Sequence, residues 1–226
     1  MAWFGRKKRE AEREEALTDG KTAALAAARQ AAEAGDDAEA ARQYETAAEL
    51  GDANAMFLTA VEYARGGNLN KDLKQALFWA EKAEASTALD PVHDAEELVR
   101  VIRRSMAFEA ALAARHIGDD AEAVRQYELA AEKGSGAAAY NLSLMYRDGD
   151  GAPQNATLSL RFREMAGELG YSKVYPTLLS NYCFGQDGAE QDWEKALYWG
   201  EKALDAGYDV DAALRVIRKQ ILRRQP

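Results

Sequence analysis

Few residues in this chain could do chemistry: two histidines, one cysteine and one glycine-rich turn stand out. A zinc site needs His or Cys ligands repeated at short intervals, with carboxylates placed to complete or activate it. His93 and His116 lie 23 positions apart with no such pattern around them, so both are expected to be structural or solvated. A nucleophilic cysteine needs a base within reach. Cys183 follows Tyr182 in a helical stretch that places no base beside it, and a half-buried, inert thiol is the expectation. The turn GDGAPQN at 149–155 lacks the Gly-Lys-Ser/Thr ending of a phosphate loop and follows a helix rather than a strand. Trp79, Tyr127 and Trp199 are spaced as core residues rather than as a ligand cage. No catalytic residue, cofactor or metal is expected. The chemistry left to the chain is recognition, and the elements that would position it come next.

The 226 residues are 47% hydrophobic and 30% charged, with four prolines and a net charge of −9. Alanine dominates the apolar count and strong helix formers supply the rest, so an all-α fold is expected. The negative charge disfavours a nucleic-acid binder, which needs Lys and Arg against phosphates. A single cysteine forms no internal disulfide and requires no oxidising compartment. No stretch has the ~18 consecutive apolar residues of a membrane span, and MAWFGRKKR has no apolar core behind its basic residues. A cytoplasmic protein is expected. The same opening segment, with Trp3 and Phe4 beside Arg6, Lys7, Lys8 and Arg9, could serve as a weak surface anchor, but the Glu-rich run after it argues against membrane contact.

The chain repeats itself. GDDAEAARQYETAAELG at 35–51 returns as GDDAEAVRQYELAAEKG at 118–134, with fourteen of seventeen positions identical. ALFWAEKA at 76–83 is echoed by ALYWGEKA at 196–203, and LVRVIRRS at 98–105 by ALRVIRKQ at 213–220. Unequal offsets of 83, 120 and 115 residues fit a duplicated block whose second copy holds one more repeat. Glycines follow stretches of helical apolar spacing, and a Gly just past a helix accepts the left-handed conformation at little cost. The spacing predicts helix-turn-helix hairpins at 20–51, 52–86, 104–134, 135–170 and 171–207. In the repeated phrase Ala41, Tyr44, Ala47 and Ala48 form the packing stripe, and Glu39, Arg42, Glu45 and Glu49 the wet face. Around the hairpins lie a charged segment (1–19), a linker helix (87–106, in a stretch 90–117 that reads as one helix or as two bent near Ser105) and a C-terminal capping helix (208–226). The linker divides a first repeat block (20–86) from a second (107–207).

AAEKGSGAAAYNLSLMYRDGDGAP resembles the Sel-one-like repeat, a relative of the tetratricopeptide repeat. Leu142, Ser143, Tyr146 and Gly149 carry the likeness in one unit. Leu178, Leu179, Tyr182, Gly185, Asp192, Lys195, Ala196, Trp199, Lys202 and Ala203 carry it in the next, and Ala60, Tyr63, Gly66, Asp72, Ala76, Trp79, Lys82 and Ala83 in a third. Thr59 replaces the expected Leu, Asn155 the usual Asp and Phe162 the usual Trp, while Pro176 must sit in the first turn of its helix. The resemblance implies a right-handed α-solenoid with a concave side. It also implies a non-catalytic, cytoplasmic and bacterial adaptor that holds a protein or peptide there. The alternatives are a divergent enzyme or enzyme-regulating subunit, which would show a buried, shifted carboxylate cluster in a pocket, and a membrane-peripheral scaffold tethered by residues 1–9.

Carried onto this chain, the groove-facing positions of the first helices are Phe57 and Val61, Phe108 and Leu112, and Tyr140 and Leu144. Arg65, Arg115 and Arg147 lie one turn beyond. Asn141 is the one fragment of the carboxylate clamp of chaperone-binding relatives. Such a strip would suit an extended peptide with hydrophobic and acidic side chains, unless the aromatics pack between hairpins and the arginines pair with local carboxylates.

Overall fold

The computed structural model describes residues 2–90 and 93–224, positions 2–5 and 224 by backbone alone. Among the described residues the chain is all-helical. The helices are α1 (Ala2–Glu33), α2 (Asp37–Glu49), α3 (Ala53–Arg65), α4 (Leu73–Glu84), α5 (Ala95–His116), α6 (Asp120–Glu132), α7 (Gly136–Asp148), α8 (Ala156–Glu168), α9 (Tyr175–Phe184), α10 (Trp193–Asp205) and α11 (Asp211–Arg224), with a 3-10 turn at Ser172–Val174. They form two compact units, residues 1–103 and 104–226, each a stack of helix hairpins. In the first, α1 pairs with α2 and α3 with α4. In the second, α7 packs on α6 and α8, and α10 on α9 and α11.

Local chemistry starts and stops these helices. Every hairpin's second helix opens on an Asx N-cap. Asp36, Asp72, Asp119, Asn155 and Asp192 each accept from one or two backbone N–H groups in the first turn, a contact that stabilises a helix by about 1 kcal/mol. Asn155 therefore does the work of the expected Asp. The first helices α3, α7 and α9 end in left-handed Gly66, Gly149 and Gly185. Pro176 sits in the first turn of α9, where its missing N–H has no helical acceptor to lose.

The repeated phrase builds the same network twice. Gln43 and Arg42 donate to Glu39 (2.7 and 2.9 Å) as Gln126 and Arg125 donate to Glu122 (2.7 and 2.8 Å). Ala40, Ala41, Ala47 and Ala48 are buried, as are Ala123, Val124, Ala130 and Ala131. Small residues let helix axes approach closely. Tyr127 is 1% exposed, whereas Tyr44 is only half-buried. Glu45, expected on the wet face, is half-buried because it accepts the Tyr63 hydroxyl (2.6 Å). The contact recurs at the same separation of 18 residues: Tyr146 donates to Glu128 (3.0 Å) and Tyr182 to Glu164. Each bond ties a second helix to the first helix of the next hairpin. Phe162 substitutes for Trp by stacking on Tyr146 at 5.4 Å.

Two segments differ from the sequence expectation or resolve it. The charged opening is not separate from the first hairpin, because α1 runs unbroken through position 20. Thr18 and Thr22 return their hydroxyls to carbonyls one turn back (2.9 Å each), and the missing Cβ of Gly20 admits Leu50, whose Cδ1 would lie 3.2 Å from one. Residues 6–19 are exposed, while Ala24 and Ala28 are buried. The stretch around Ser105 is one continuous helix, α5. The N-terminal half of α5 buries Val99 and Ile102 and pairs Arg103 with Glu81 (2.6 Å). Helix α11 buries Leu214 and Ile217 and pairs Arg218 with Glu201 (3.0 Å). The echoed RVIR phrase thus closes each unit in the same way, and the C-terminal half of α5 begins the second unit, with Phe108 against Tyr127 at 5.7 Å.

Candidate functional site

The sequence-derived strip falls on α3, α5 and α7, and its residues have different surroundings. Phe57 is half-buried and stacked on His93 (ring centroids 4.4 Å apart), and the backbone N–H of Asp90 donates to Asn54 beside it (2.9 Å). The segment after α4 therefore lies against this part of α3. Val61 is half-buried and Arg65 exposed at the helix end. Phe108 packs against the core through Tyr127, and Tyr140 stacks on Tyr171 at 5.1 Å. Leu112 is 47% exposed and Leu144 half-buried. Asn141 is half-buried.

Two of the arginines are engaged within the chain. Arg115 faces Asp120 (3.8 Å) and Asp150 (3.5 Å), which sets the end of α5 beside the α7–α8 turn. Arg147 grips Asp148 with two N–H groups (2.7 and 2.8 Å), holding that carboxyl below its usual range and raising its own pKa. Phe57, Val61 and Arg65 belong to the first unit and the other seven strip residues to the second. Within the second unit, Arg115 and Arg147 act on one set of carboxylates, since Asp148 feels both.

His93 covers Phe57, His116 is exposed, and burial pushes the Cys183 thiol up, away from the reactive thiolate. Trp79, Tyr127 and Trp199 are buried in the core. Among the described residues no three His, Cys, Asp or Glu side chains group to hold a metal ion, and no helix is long and apolar enough to cross a membrane. The shifted carboxylates, Glu39, Glu122 and Asp148, are all lowered by hydrogen bonds from adjacent amides and guanidiniums. The side chains of Trp3 and Phe4 lie outside the described residues.

Sequence reasoning did not single out a second site. An open cleft of about 430 Å³ is lined by Arg147, Gln154, Ala156, Ser159 and Asp187. Two of these residues contact the buried Arg163, 3% exposed, whose Nη1 donates to Asp187 (3.0 Å) and to the Asn181 side-chain oxygen (2.7 Å) and whose Nη2 reaches the Ser159 hydroxyl (3.5 Å); Asn181 in turn donates to the Thr177 carbonyl (3.1 Å). Ser159 donates to the Ser143 carbonyl (2.7 Å). Asp187 has a left-handed backbone, φ 52°, a conformation costing a non-Gly residue about 1 kcal/mol or more. The next residue holds it there: a Cβ on Gly188 would stand 2.7 Å from the Ala156 carbonyl, so only glycine lets this loop lie on the start of α8.

A signal for this cluster does exist in the sequence. Counted from the N-caps, the fourth residue is Ala40, Ala76, Ala123 and Ala196 in four second helices but Ser159 in α8. The eighth is Tyr44, Ala80, Tyr127 and Gly200 in the others but Arg163 in α8. Two polar departures one turn apart on a buried stripe predict a polar pocket, although they do not name its carboxylate.

The Sel1 repeat family model matches residues 53–86, 116–135, 136–171 and 178–208, just over half of the chain. The hairpin α1–α2 lies outside the matched residues although α2 repeats α6. Several solved structures are similar to this chain, two of them as follows. One is the protective antigen c5321 of uropathogenic Escherichia coli, which displays an SLR fold: 27% identity, TM-score 0.46, over 74% of this chain and 33% of that one. The other is a Sel1 repeat protein from Oxalobacter formigenes: 24% identity, TM-score 0.48, over 85% and 74%. This chain thus spans a third of the length of the Escherichia coli protein. No curated protein shows significant similarity to it.

Proposed function

We propose that this chain, which belongs to the Sel1 repeat family, works as a non-catalytic interaction scaffold in the bacterial cytoplasm and holds a partner protein against the first helices of its hairpins. The observation that carries the reading is the apolar strip on the first helices of the second unit: Leu112 on α5 is exposed and Tyr140 and Leu144 on α7 are half-buried, with Arg115 and Arg147 at the helix ends. Aromatic and aliphatic side chains beside guanidiniums are the composition of interface anchors. The partner segment this favours is apolar with intermittent carboxylates, which would exchange with Asp148 and Asp150 for the two arginines. Arg65 and Val61 offer the same chemistry on α3, where Phe57 lies under His93.

Affinity capture from native lysate, with wild type and the variant R65E/R115E/R147E as baits, tests the reading. A second variant, Leu112→Asp, tests the apolar strip, and circular dichroism first confirms that all three fold alike. A partner held by wild type and lost from both variants supports the proposal. Partners retained equally by all three overturn it.

A further inference from the structure

We infer that this chain associates head to tail: the exposed face of α11 in one copy docks on the exposed acidic stretch of α1 in a second copy. The repeat supplies a template for α11. Its RVIR phrase stands 115 residues after that of α5, and α5 shows what meets the turn that follows. There Arg104 Nη1 donates to the Gly134 carbonyl (3.5 Å), Ala107 is buried and Phe108 packs against Tyr127. The matching positions in α11 are Lys219, Leu222 and Arg223, all exposed, Leu222 by 66%. At roughly 100° per residue, Arg215 and Val216 (55% exposed) complete a face of about 120° with them. Two aliphatic side chains therefore flank three cations, on the side of α11 away from the buried Leu214 and Ile217. The counterpart of this surface in α5 meets α6.

Helix α1 carries the complement. It has 32 residues and its hairpin partner α2 has 13. Gly20 meets Leu50 at the end of α2, so the residues before it run past the hairpin. The stripe that turns Gly20, Ala24 and Ala28 inwards continues through Leu17, 40% exposed, to Glu14 and Glu10. Residues 10–19 hold five carboxylates and one cation, Arg13, whereas the described side chains of α11 include four cations and one carboxylate, Asp211. Opposite charge steers these two helices together and disfavours pairing of either with its own kind. Leu17, Val216 and Leu222 supply the apolar contact. A helical stretch of this length with nothing packed on it is marginal in water, and a second helix laid along it secures it. The occupant is a second copy because both surfaces belong to this chain and match in charge, in helical form and in exposed aliphatic side chains. A contact between two different surfaces is heterologous, so it propagates from copy to copy instead of closing as a two-fold pair. Nothing in it depends on the first-helix strip.

The test is sedimentation velocity of the full chain from about 10 µM to about 1 mM, in about 50 mM and about 0.5 M salt. The expected result is a mass that rises with concentration in low salt, at a dissociation constant on the order of 100 µM, and association about tenfold weaker in high salt. R215E/K219E and E10K/E14K, reversals at exposed positions, should each weaken association about tenfold or more. The two reversals combined in one chain restore opposite charge and should return association to near the wild-type strength. Circular dichroism first confirms that each variant folds. If a reversal does not fold, cross-linking decides, since the native Cys183 is buried. With a short bismaleimide, copies carrying Leu17→Cys and copies carrying Leu222→Cys should link to each other in preference to their own kind. A monomer throughout the range, association that survives either reversal, a combined variant that stays monomeric, or cross-links only between like copies overturns the inference. The scaffold reading is judged by partner capture with substitutions on α3, α5 and α7, none of them on α1 or α11, so the two fail separately.

Discussion

Thr59→Val should make the protein more stable, against the usual direction of a core substitution. Thr59 is fully buried in α3 at the register where α7 and α9 place Leu142 and Leu178, and among the described residues its Oγ1 has no hydrogen-bond partner. A hydroxyl that leaves water without gaining a partner costs about 1–3 kcal/mol. Valine keeps the β-branched shape and has a nearly equal helix propensity, and its methyl adds up to about 0.8 kcal/mol of burial. The expected gain is about 1–3 kcal/mol. Thr59→Ser is the matched control: it keeps the hydroxyl, loses a methyl and leaves a small cavity, so it should destabilise by about 1 kcal/mol. Urea unfolding followed by circular dichroism and tryptophan fluorescence reads both. The transition that melts α3 and α4 should move to higher urea at unchanged slope in the valine variant. A midpoint that stays or falls refutes the reasoning, because it means that the hydroxyl returns to the Ala55 carbonyl in solution, as buried helical threonines can.

Gly167→Ala reverses the lesson of helix propensity. An exposed helical Gly→Ala gains about 1 kcal/mol, but here the new Cβ would stand 2.6 Å from Trp199 Cζ3 and 2.8 Å from Cη2. We expect a loss of about 1–3 kcal/mol and a lower thermal midpoint, and a higher midpoint would sink the packing argument. The Tyr63 phenol, hydrogen-bonded to Glu45 and partly buried, is pushed up to about 12. A raised folded-state pKa means that its contribution to stability is intact below the unfolded value of about 10 and is lost as pH rises from there through about 12. Tyrosinate absorbance should show several tyrosines ionising late in wild type, Tyr127, Tyr146 and Tyr182 being raised too, and the late fraction should shrink by one tyrosine in Glu45→Gln as Tyr63 returns towards about 10. A titration unchanged by Glu45→Gln would disprove the latch.

Helix identity, caps and repeat register were legible in the chain because they are local. An Asx residue accepts from N–H groups two or three residues on, a Gly closes a helix at its own position, and alanine at helical spacing marks the packed stripe whichever neighbour fills it. The repeat resemblance then supplied the pairing order of the hairpins. The candidate strip was less legible. Its positions are what the repeat resemblance implies, but whether Phe57 meets a partner or His93, and whether Arg147 is open or held by Asp148, depends on segments that periodicity does not orient.

By itself the sequence determined an all-α protein of Sel1-type hairpins, the ends of most of its helices and the recurrence of one packing solution in the repeated phrase. Tertiary structure alone decided the rest. It made α5 the closing helix of one unit and the opening helix of the next, turned Glu45 from a surface acid into a latch for Tyr63, and brought Asp187 against Arg163 from 24 residues away. The physical reason is range. Backbone hydrogen bonds and dihedral preferences act within a turn or two of their own residue. The pairing of a buried guanidinium with a carboxylate on another loop exists only once stacked hairpins have excluded water from one side of it.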